Sequence, residues 1–268
     1  MIGLLQARTA LFVPADRLDR LPRALASGAD AVVIDLEDGV AAHFKDAARQ
    51  AVSQLDVGMR AHVRVNGART ADLALDLQAI PLHVEGVMLA KAESIEQLDA
   101  VSERLAQHQD IVPLVESVTG LLAVEQLCRH PQVSRLAFGS LDFAVDSGIE
   151  DEEGLTAVRV ALVLQSRRFD LARPLDGVIT EIADADVIAE QASRSRRLGF
   201  GDRMCIHPGQ VRPVAQAFTP TPAAVEWARR VVEAFDRESG SPVLLDGRMV
   251  DLPVVLSARA VLSELGDP

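Results

Sequence analysis

The sequence predicts an α/β fold in which eight parallel strands close into a barrel wrapped by helices. Three observations carry this. Eight short β runs alternate with amphipathic helical runs along most of the 268 residues, the pattern of βαβ units on a parallel sheet. The runs are apolar almost throughout, as strands covered on both faces must be. The length suits the ~250 residues of a TIM (β/α)8 barrel. A doubly wound open sheet is the rival, but the turn after the first strand, "FVPADR", lacks the G-x-G-x-x-G pattern of such folds.

The elements follow in order. "TALFVPA" is a strand, and "DRLDRLPRALASG" a helix closed by Gly28, a residue suited to the left-handed C′ position. "DAVVIDLED" is a strand that turns acidic at its end, and "AAHFKDAARQAVSQL" a helix. "RAHVRVNG" and "VEGVMLAKA" are strands three and four, separated by the helical "TADLALDLQAI". "SIEQLDAVSERLAQH" is a helix with Ser94 as N-cap and Gln97 three residues on, a capping-box spacing. "IVPLVES" and "RLAFGSLD" are strands five and six, with the helix "GLLAVEQLCRH" between them. The helix "GLTAVRVALVLQSRRFD" leads to strand seven, "PLDGVITEI", and "ADVIAEQASRSRRLG" to strand eight, "RMCIHPG". Residues 1–218 thus read as a barrel domain and 219–268 as an appended C-terminal helical and hairpin extension. Within it "SPVLLDGRMVDLP" is a hairpin around Asp246-Gly247, flanked by "TPTPAAVEWARRVVEAFDRESG" and "VVLSARAVLSELG" as helices.

Composition excludes several functions. A net charge of −12 lacks the basic footprint of a nucleic-acid binder. No apolar run approaches the ~20 residues of a membrane span, and "MIGLLQARTALFVP" lacks the layout of a secretory signal. Two cysteines, Cys128 and Cys205, form neither a metal motif nor a disulfide framework, so a reduced, cytoplasmic protein is expected. Any anionic ligand must be held by a few local cations.

In a βα barrel the functional side chains stand where strands end. Those positions hold Asp35, Glu37 and Asp38, then Arg64 and Asn66, Lys91, Glu116, Asp142 and His207. Glu116 and Asp142 are 26 positions apart (142 − 116), about one βα unit, so they should top strands only ~4.8 Å apart. Two carboxylates at that spacing suit Mg²⁺, which takes oxygen ligands and completes its octahedron with water and substrate. The plainer reading is that each caps a helix or pairs with a rim arginine. Arg64 is placed either to grip a substrate carboxylate through two parallel hydrogen bonds or to pair with the acids of "DLED". Glu37 and Asp38 either stand behind the metal ligands or are solvated. His207 is a ligand, a base or a turn residue. Arg17, Arg20 and Arg23 are either a solvated helix face or a phosphate cluster.

Taken together, "RTALFVPADR", "GADAVVIDLEDGV", "VRVN", "GVMLAKAES", "PLVESVTGL", "FGSLDFAVDSG", "LGFGDRMCIHPGQV" and "LLDGRMVDLPV" resemble, in order, the citrate lyase beta subunit-like family. This is the branch of the HpcH/HpaI aldolases that includes malyl-CoA and citramalyl-CoA lyases. The resemblance runs from Arg8 to Leu262. It implies a TIM barrel, Mg²⁺, and cleavage of a 3-hydroxyacyl-CoA to acetyl-CoA and a 2-oxoacid such as pyruvate, glyoxylate or oxaloacetate. By motif match it makes Glu116 and Asp142 the metal ligands and Arg64 the grip on the oxoacid. Asp251 in "GRMVDLP" matches an acid delivered from a neighbouring subunit as general acid/base, which implies a homotrimer or homohexamer. Three positions depart from the family's habit: Ala90 where Pro is usual, Ala15 where Gly is usual, and Glu181 where Asp is usual. An aldolase acting on free hydroxy-oxoacids, or a non-catalytic subunit that holds a thioester or acyl-carrier partner, are the alternative functions.

Overall fold

The computed structural model describes residues 3–56 and 61–264. Eight strands close into a barrel in chain order: β1 (Thr9–Pro14), β2 (Ala31–Asp35), β3 (His62–Val65), β4 (Gly86–Leu89), β5 (Asp110–Val115), β6 (Arg135–Phe138), β7 (Ala172–Asp176) and β8 (Asp202–Cys205). All eight pairings are parallel, and β1 completes the ring against β8. Helices follow the strands: α1 (Leu21–Leu25), α2 (Lys45–Ser53), α3 (Asp72–Ala79), α4 (Ile95–Ser102), α5 (Val118–Cys128), α6 (Ser140–Ser147), α7 (Glu152–Arg168), α8 (Ala185–Leu198) and α9 (Pro208–Phe218).

The strand period of two divides the core. Val32, Ile34, Val63, Val65, Ile111 and Val115 join the cluster that faces the helices. Ala10, Val33, Met88, Val112, Leu114, Ala137 and Met204 fill the barrel interior. The same alternation decides where the polar residues at the strand ends point. Val63 and Val65 face outward, so Arg64 faces the interior. Asp35, two residues beyond Val33, and Glu116, two beyond Leu114, face inward as well.

Several elements differ from the sequence reading. The first helix begins as a 3₁₀ turn over Ala15–Arg20, with Arg17 out of helical conformation at φ −130°, and only Leu21–Leu25 is α-helical. Gly28 closes the segment at φ 81°. Strand six stops at Phe138. The chain then enters α6, which the sequence reading did not separate from the strand, and α6 ends on Gly148 in the left-handed cap. Strand seven starts and ends earlier, at Ala172–Asp176. The capping box is displaced by one residue: Gln97 Oε1 accepts from the Glu93 amide at 2.8 Å, and Ser94 makes no cap hydrogen bond. The Ser94 hydroxyl is instead near the Glu96 carboxylate and contributes to holding that group below its ordinary pKa. Arg60, expected at the head of strand three, and Leu265 and Gly266, expected to end the last helix, lie outside the described residues.

The chain divides into two units, Met1–Phe218 and Thr219–Pro268. The second holds α10 (Pro222–Arg237), a hairpin of β9 (Val243–Leu245) and β10 (Arg248–Val250), and α11 (Leu252–Ser263). Val231, Phe235, Val250 and Val255 form its core. Asp246 at φ 49° and Gly247 at φ 74° give the hairpin the doubly positive φ of a type I′ turn. Among the described residues no helix is long and apolar enough to cross a membrane. Cys128 and Cys205 are both buried and unpaired. Burial pushes the Cys128 thiol up to about 12 and raises Cys205 as well.

Candidate active site

A cavity of about 320 Å³ opens at the C-terminal end of the barrel. Phe12, Leu114 and Met204 from the interior line it, together with Asp35, Asp38, Arg64, Glu116 and Asp142. This is the mouth in which βα barrels place their chemistry.

Arg64 and Asp35 are partners in the β3–β2 register and both face inward, so they meet. Arg64 Nε and Nη2 donate to the two Asp35 oxygens at 2.7 and 2.6 Å, a bidentate pair. Asp35 also accepts from the amides of Glu37 and Gly39, each at 2.9 Å. Its needs are fully met, and it acts as an anchor. Arg64 Nη1 lies 3.1 Å from Glu37 Oε2, and its guanidinium carbon lies 5.2 Å from the Phe12 ring centroid. A guanidinium has five N–H groups. Two are hydrogen-bonded to Asp35, and Nη1 is ion-paired with Glu37, which leaves N–H groups free at the cavity wall. The salt bridge to "DLED" is therefore formed, and Arg64 still lines the cavity wall.

Glu116 follows β5 and is 3% exposed. Its Oε1 accepts from the Lys91 amide at 2.7 Å. Gly139 makes room for it, since a Cβ there would run into the Glu116 carboxylate. Burial, then the charges of Glu37 and Asp142, push the Glu116 carboxyl up to about 8, against the pull of Lys91. Asp142 stands in the first turn of α6 rather than on strand six, and its side chain is 43% exposed. Both carboxylates line the same cavity, and the charge of Asp142 contributes to raising Glu116.

That arrangement fits a divalent cation. The donors are hard oxygens, and burial with neighbouring like charge outweighs the pull of Lys91 and raises one of them above the ordinary carboxylate range. Among the described residues no three His, Cys, Asp or Glu side chains are gathered to hold a metal unaided. The protein can offer two carboxylates and leave the remaining positions to water and ligand, the habit of Mg²⁺.

The other expected residues divide. Asp38 lines the cavity. Glu37 lies behind the wall, between Arg64 and the Lys91 ammonium, which it meets at 2.7 Å. Asn66 is turned away, bonded to Asp76 and the Leu36 carbonyl. Arg17 is not brought to the cavity; it is exposed and paired with Asp19 at 3.2 Å. Arg20, Arg23 and His207 line a neighbouring pocket, where the His207 ring also accepts from the Gly209 amide at 3.1 Å. Glu181 is a turn residue that accepts from the amides of Ala183 and Asp184. Asp251, in the second unit, caps α11 by accepting from Val254 N at 3.4 Å. Three contributors carried no assigned role in the sequence reading: Asp35 as anchor, Lys91 and Gly139. The "FGS" break was the available signal for Gly139.

The HpcH/HpaI aldolase/citrate lyase family model matches residues 8–208. The chain belongs to that family. Membership makes it an enzyme, a lyase of the aldolase/citrate lyase type. It is 34% identical to the citrate lyase subunit beta-like protein of Mycobacterium tuberculosis, over 96% of this chain and 95% of that protein. It is 28% identical to the mitochondrial citramalyl-CoA lyase of Rattus norvegicus, over 96% of this chain and 85% of that protein. Among solved structures, CitE from Mycobacterium tuberculosis in complex with magnesium, acetoacetate and coenzyme A superposes with a TM-score of 0.87. That match has 33% identity and covers 97% of this chain and 98% of the other. This member of the HpcH/HpaI family thus keeps the eight-stranded frame of its relatives with Arg64, Glu116 and Asp142 at the mouth.

Proposed function

We propose that the protein is a Mg²⁺-dependent carbon–carbon lyase. It cleaves a 3-hydroxyacyl-CoA, citramalyl-CoA or a malyl-CoA-like thioester, to acetyl-CoA and a 2-oxoacid. The observation that carries this is the meeting of Glu116, Asp142 and Arg64 in one cavity. It is supported by the magnesium and coenzyme A bound to the Mycobacterium tuberculosis relative. Glu116 and Asp142 would hold Mg²⁺, which when bound supplies Lewis acidity to the substrate's hydroxyl and carboxylate oxygens.

The chain's own residues do the rest. Arg64, immobilised by Asp35 and Glu37, presents its remaining N–H groups to the carboxylate that becomes the 2-oxoacid. Glu37 and Asp38 keep that region anionic and fix the cations in it. As the carbon–carbon bond breaks, the hydroxyl gives its proton to solvent water and the electron pair passes to the thioester fragment. Asp251 of a neighbouring subunit delivers a proton to the resulting methylene carbon, and in reverse removes it, a task that requires proton-transfer reach. The tail leaves Leu244, Met249, Leu252 and Leu256 exposed, which supports a homotrimer or homohexamer. Arg20 and Arg23, and Arg17 beside them, are the cations available to the phosphates of CoA.

A screen of acyl-CoA thioesters with Mg²⁺ tests this, reading 2-oxoacid and free thiol separately. Stoichiometric 2-oxoacid with retained thioester is expected. Equal turnover of free hydroxy-oxoacids without CoA would replace the thioester lyase with an aldolase. Thiol release without 2-oxoacid would replace it with a hydrolase.

A further inference from the structure

Lys91 is a rim cation to which the proposed reaction gives no task. Its backbone sits at φ 49°, a left-handed conformation that side-chain sterics disfavour. The effect of that strain is local. The flanking amides stay in the sheet: Ala90 N donates to Val65 O and Ala92 N to Leu114 O, each at 3.2 Å. The Lys91 amide turns out of the ladder and donates to Glu116 Oε1 at 2.7 Å.

Its ammonium reaches the other acids. It donates to Glu37 Oε1 at 2.7 Å and lies 3.7 Å from Asp38 Oδ2 and 3.8 Å from Asp142 Oδ1. It does so from behind, since neither Lys91 nor Glu37 lines the cavity. Asp35, Glu37, Asp38, Glu116 and Asp142 surround the mouth with Arg64 and Lys91 among them. Arg64 is committed to Asp35 and Glu37. The Lys91 ammonium stands close to Asp142, one of the two proposed Mg²⁺ ligands, and is therefore opposed to a second cation there.

We infer that Lys91 is a positioning residue with two separable effects. Its strained main chain aims Glu116, and its ammonium is a built-in counter-ion that weakens Mg²⁺ binding at the same carboxylates. This rests on the metal reading of the site. A loosely held Mg²⁺ exchanges readily, and the carboxylates keep their places without it.

The test is Mg²⁺ titration of the full-length protein by calorimetry, alongside turnover and thermal melting. Lys91→Met removes the charge and keeps the main chain. Its Mg²⁺ Kd tightens about tenfold, the effect of deleting one nearby like charge from a partly solvated site. Its kcat falls because Glu37 loses one of the two cations that fix it. Lys91→Arg restores the charge and keeps the wild-type Kd. Glu116→Gln, as control, loses Mg²⁺ binding. A merely structural lysine would give a lower melting temperature and weaker, not tighter, Mg²⁺ binding. If Lys91→Met fails to fold, Lys91→Gln serves the same comparison. Unchanged or weaker Mg²⁺ binding in the folded variant overturns the inference and leaves the metal reading standing. A wild type that binds no Mg²⁺ removes both.

Discussion

The barrel buries two carboxyl groups that are both pushed up to about 8, one at each end. Glu116 lies at the C-terminal mouth and Asp202 at the N-terminal floor, as the first residue of β8. Burial is the leading cause for both. The remaining causes differ. Glu116 faces a cavity and is raised further by Glu37 and Asp142. Asp202 is fully buried, and neither of its oxygens accepts a full hydrogen bond among the described residues. Its nearest counter-charge is Arg135, 3.8 Å away, and Arg135 is itself tied to the carbonyls of Leu4, Ala7 and Arg173. A displaced pKa therefore does not mark a functional group by itself. Like charge raises both, from Glu37 and Asp142 at the mouth and from Asp30 at the floor; open space distinguishes the mouth, and a sealed counter-ion distinguishes the floor.

The sharpest break of this comparison is removal of the mouth carboxylates. Glu116→Gln or Asp142→Asn should lower kcat about a thousandfold or more, the scale on which a single transition-state contact acts. The melting temperature should hold, because relieving like-charge repulsion does not weaken the barrel. EDTA should silence the wild type and Mg²⁺ restore it. Full activity after exhaustive chelation would place Glu116 with Asp202, as a buried acid without a metal.

Next comes the question whether the mouth is complete within one chain. Asp251→Asn and Glu116→Ala should each be inactive. Mixed and allowed to exchange subunits, they should recover part of the wild-type activity, since some sites then hold both intact groups. Verified exchange without recovery, or a fully active monomer, would confine Asp251 to capping α11.

Arg64→Lys gives a smaller effect. Lysine keeps the charge but loses the fork that binds Asp35 through two nitrogens. A fall of about tenfold or more in kcat/KM is expected, equivalent to roughly 1.4 kcal/mol per factor of ten. An unchanged Kd for pyruvate or glyoxylate would remove Arg64 from the substrate site.

The gentlest test is pH, and the two ends should answer differently. At the mouth Mg²⁺ and a proton compete for Glu116, so Mg²⁺ affinity should rise with pH and level off above about 8. At the floor no ion replaces the proton. Below the ordinary carboxylate range Asp202 is protonated in both folded and unfolded states. From there to about 8 the unfolded chain loses its proton first, so the folded state binds more protons and stability falls as pH rises. Asp202→Asn should flatten this slope and leave the protein about 1–2 kcal/mol more stable than wild type at pH 9. A wild-type slope of opposite sign would mean that the Arg135 ion pair outweighs burial.

The sequence by itself determined the barrel, its strand order and the end at which ionisable side chains gather. The reason is periodicity: apolar runs covered on both faces, alternating with amphipathic helices, leave few ways to bury the chain, and inward alternation carries Asp35, Arg64 and Glu116 to the mouth. The type I′ hairpin at Asp246-Gly247 was legible for a similar reason, since so few residues tolerate two positive φ angles in succession. What only the tertiary structure decided was pairing. The β2–β3 register sets Arg64 against Asp35, so the guanidinium is anchored before any substrate arrives. A helix, α6, presents Asp142, because the break at Gly139 that admits the Glu116 carboxylate also ends the strand. The turn at Lys91 leaves no trace in hydrophobic pattern, because a single left-handed residue changes neither composition nor period. Yet it directs an amide onto Glu116 and an ammonium into the acid cluster. Arg17 shows the converse: a basic cluster read along the chain was divided by a 3₁₀ turn, which left Arg17 with Asp19 and carried Arg20 and Arg23 to a neighbouring pocket.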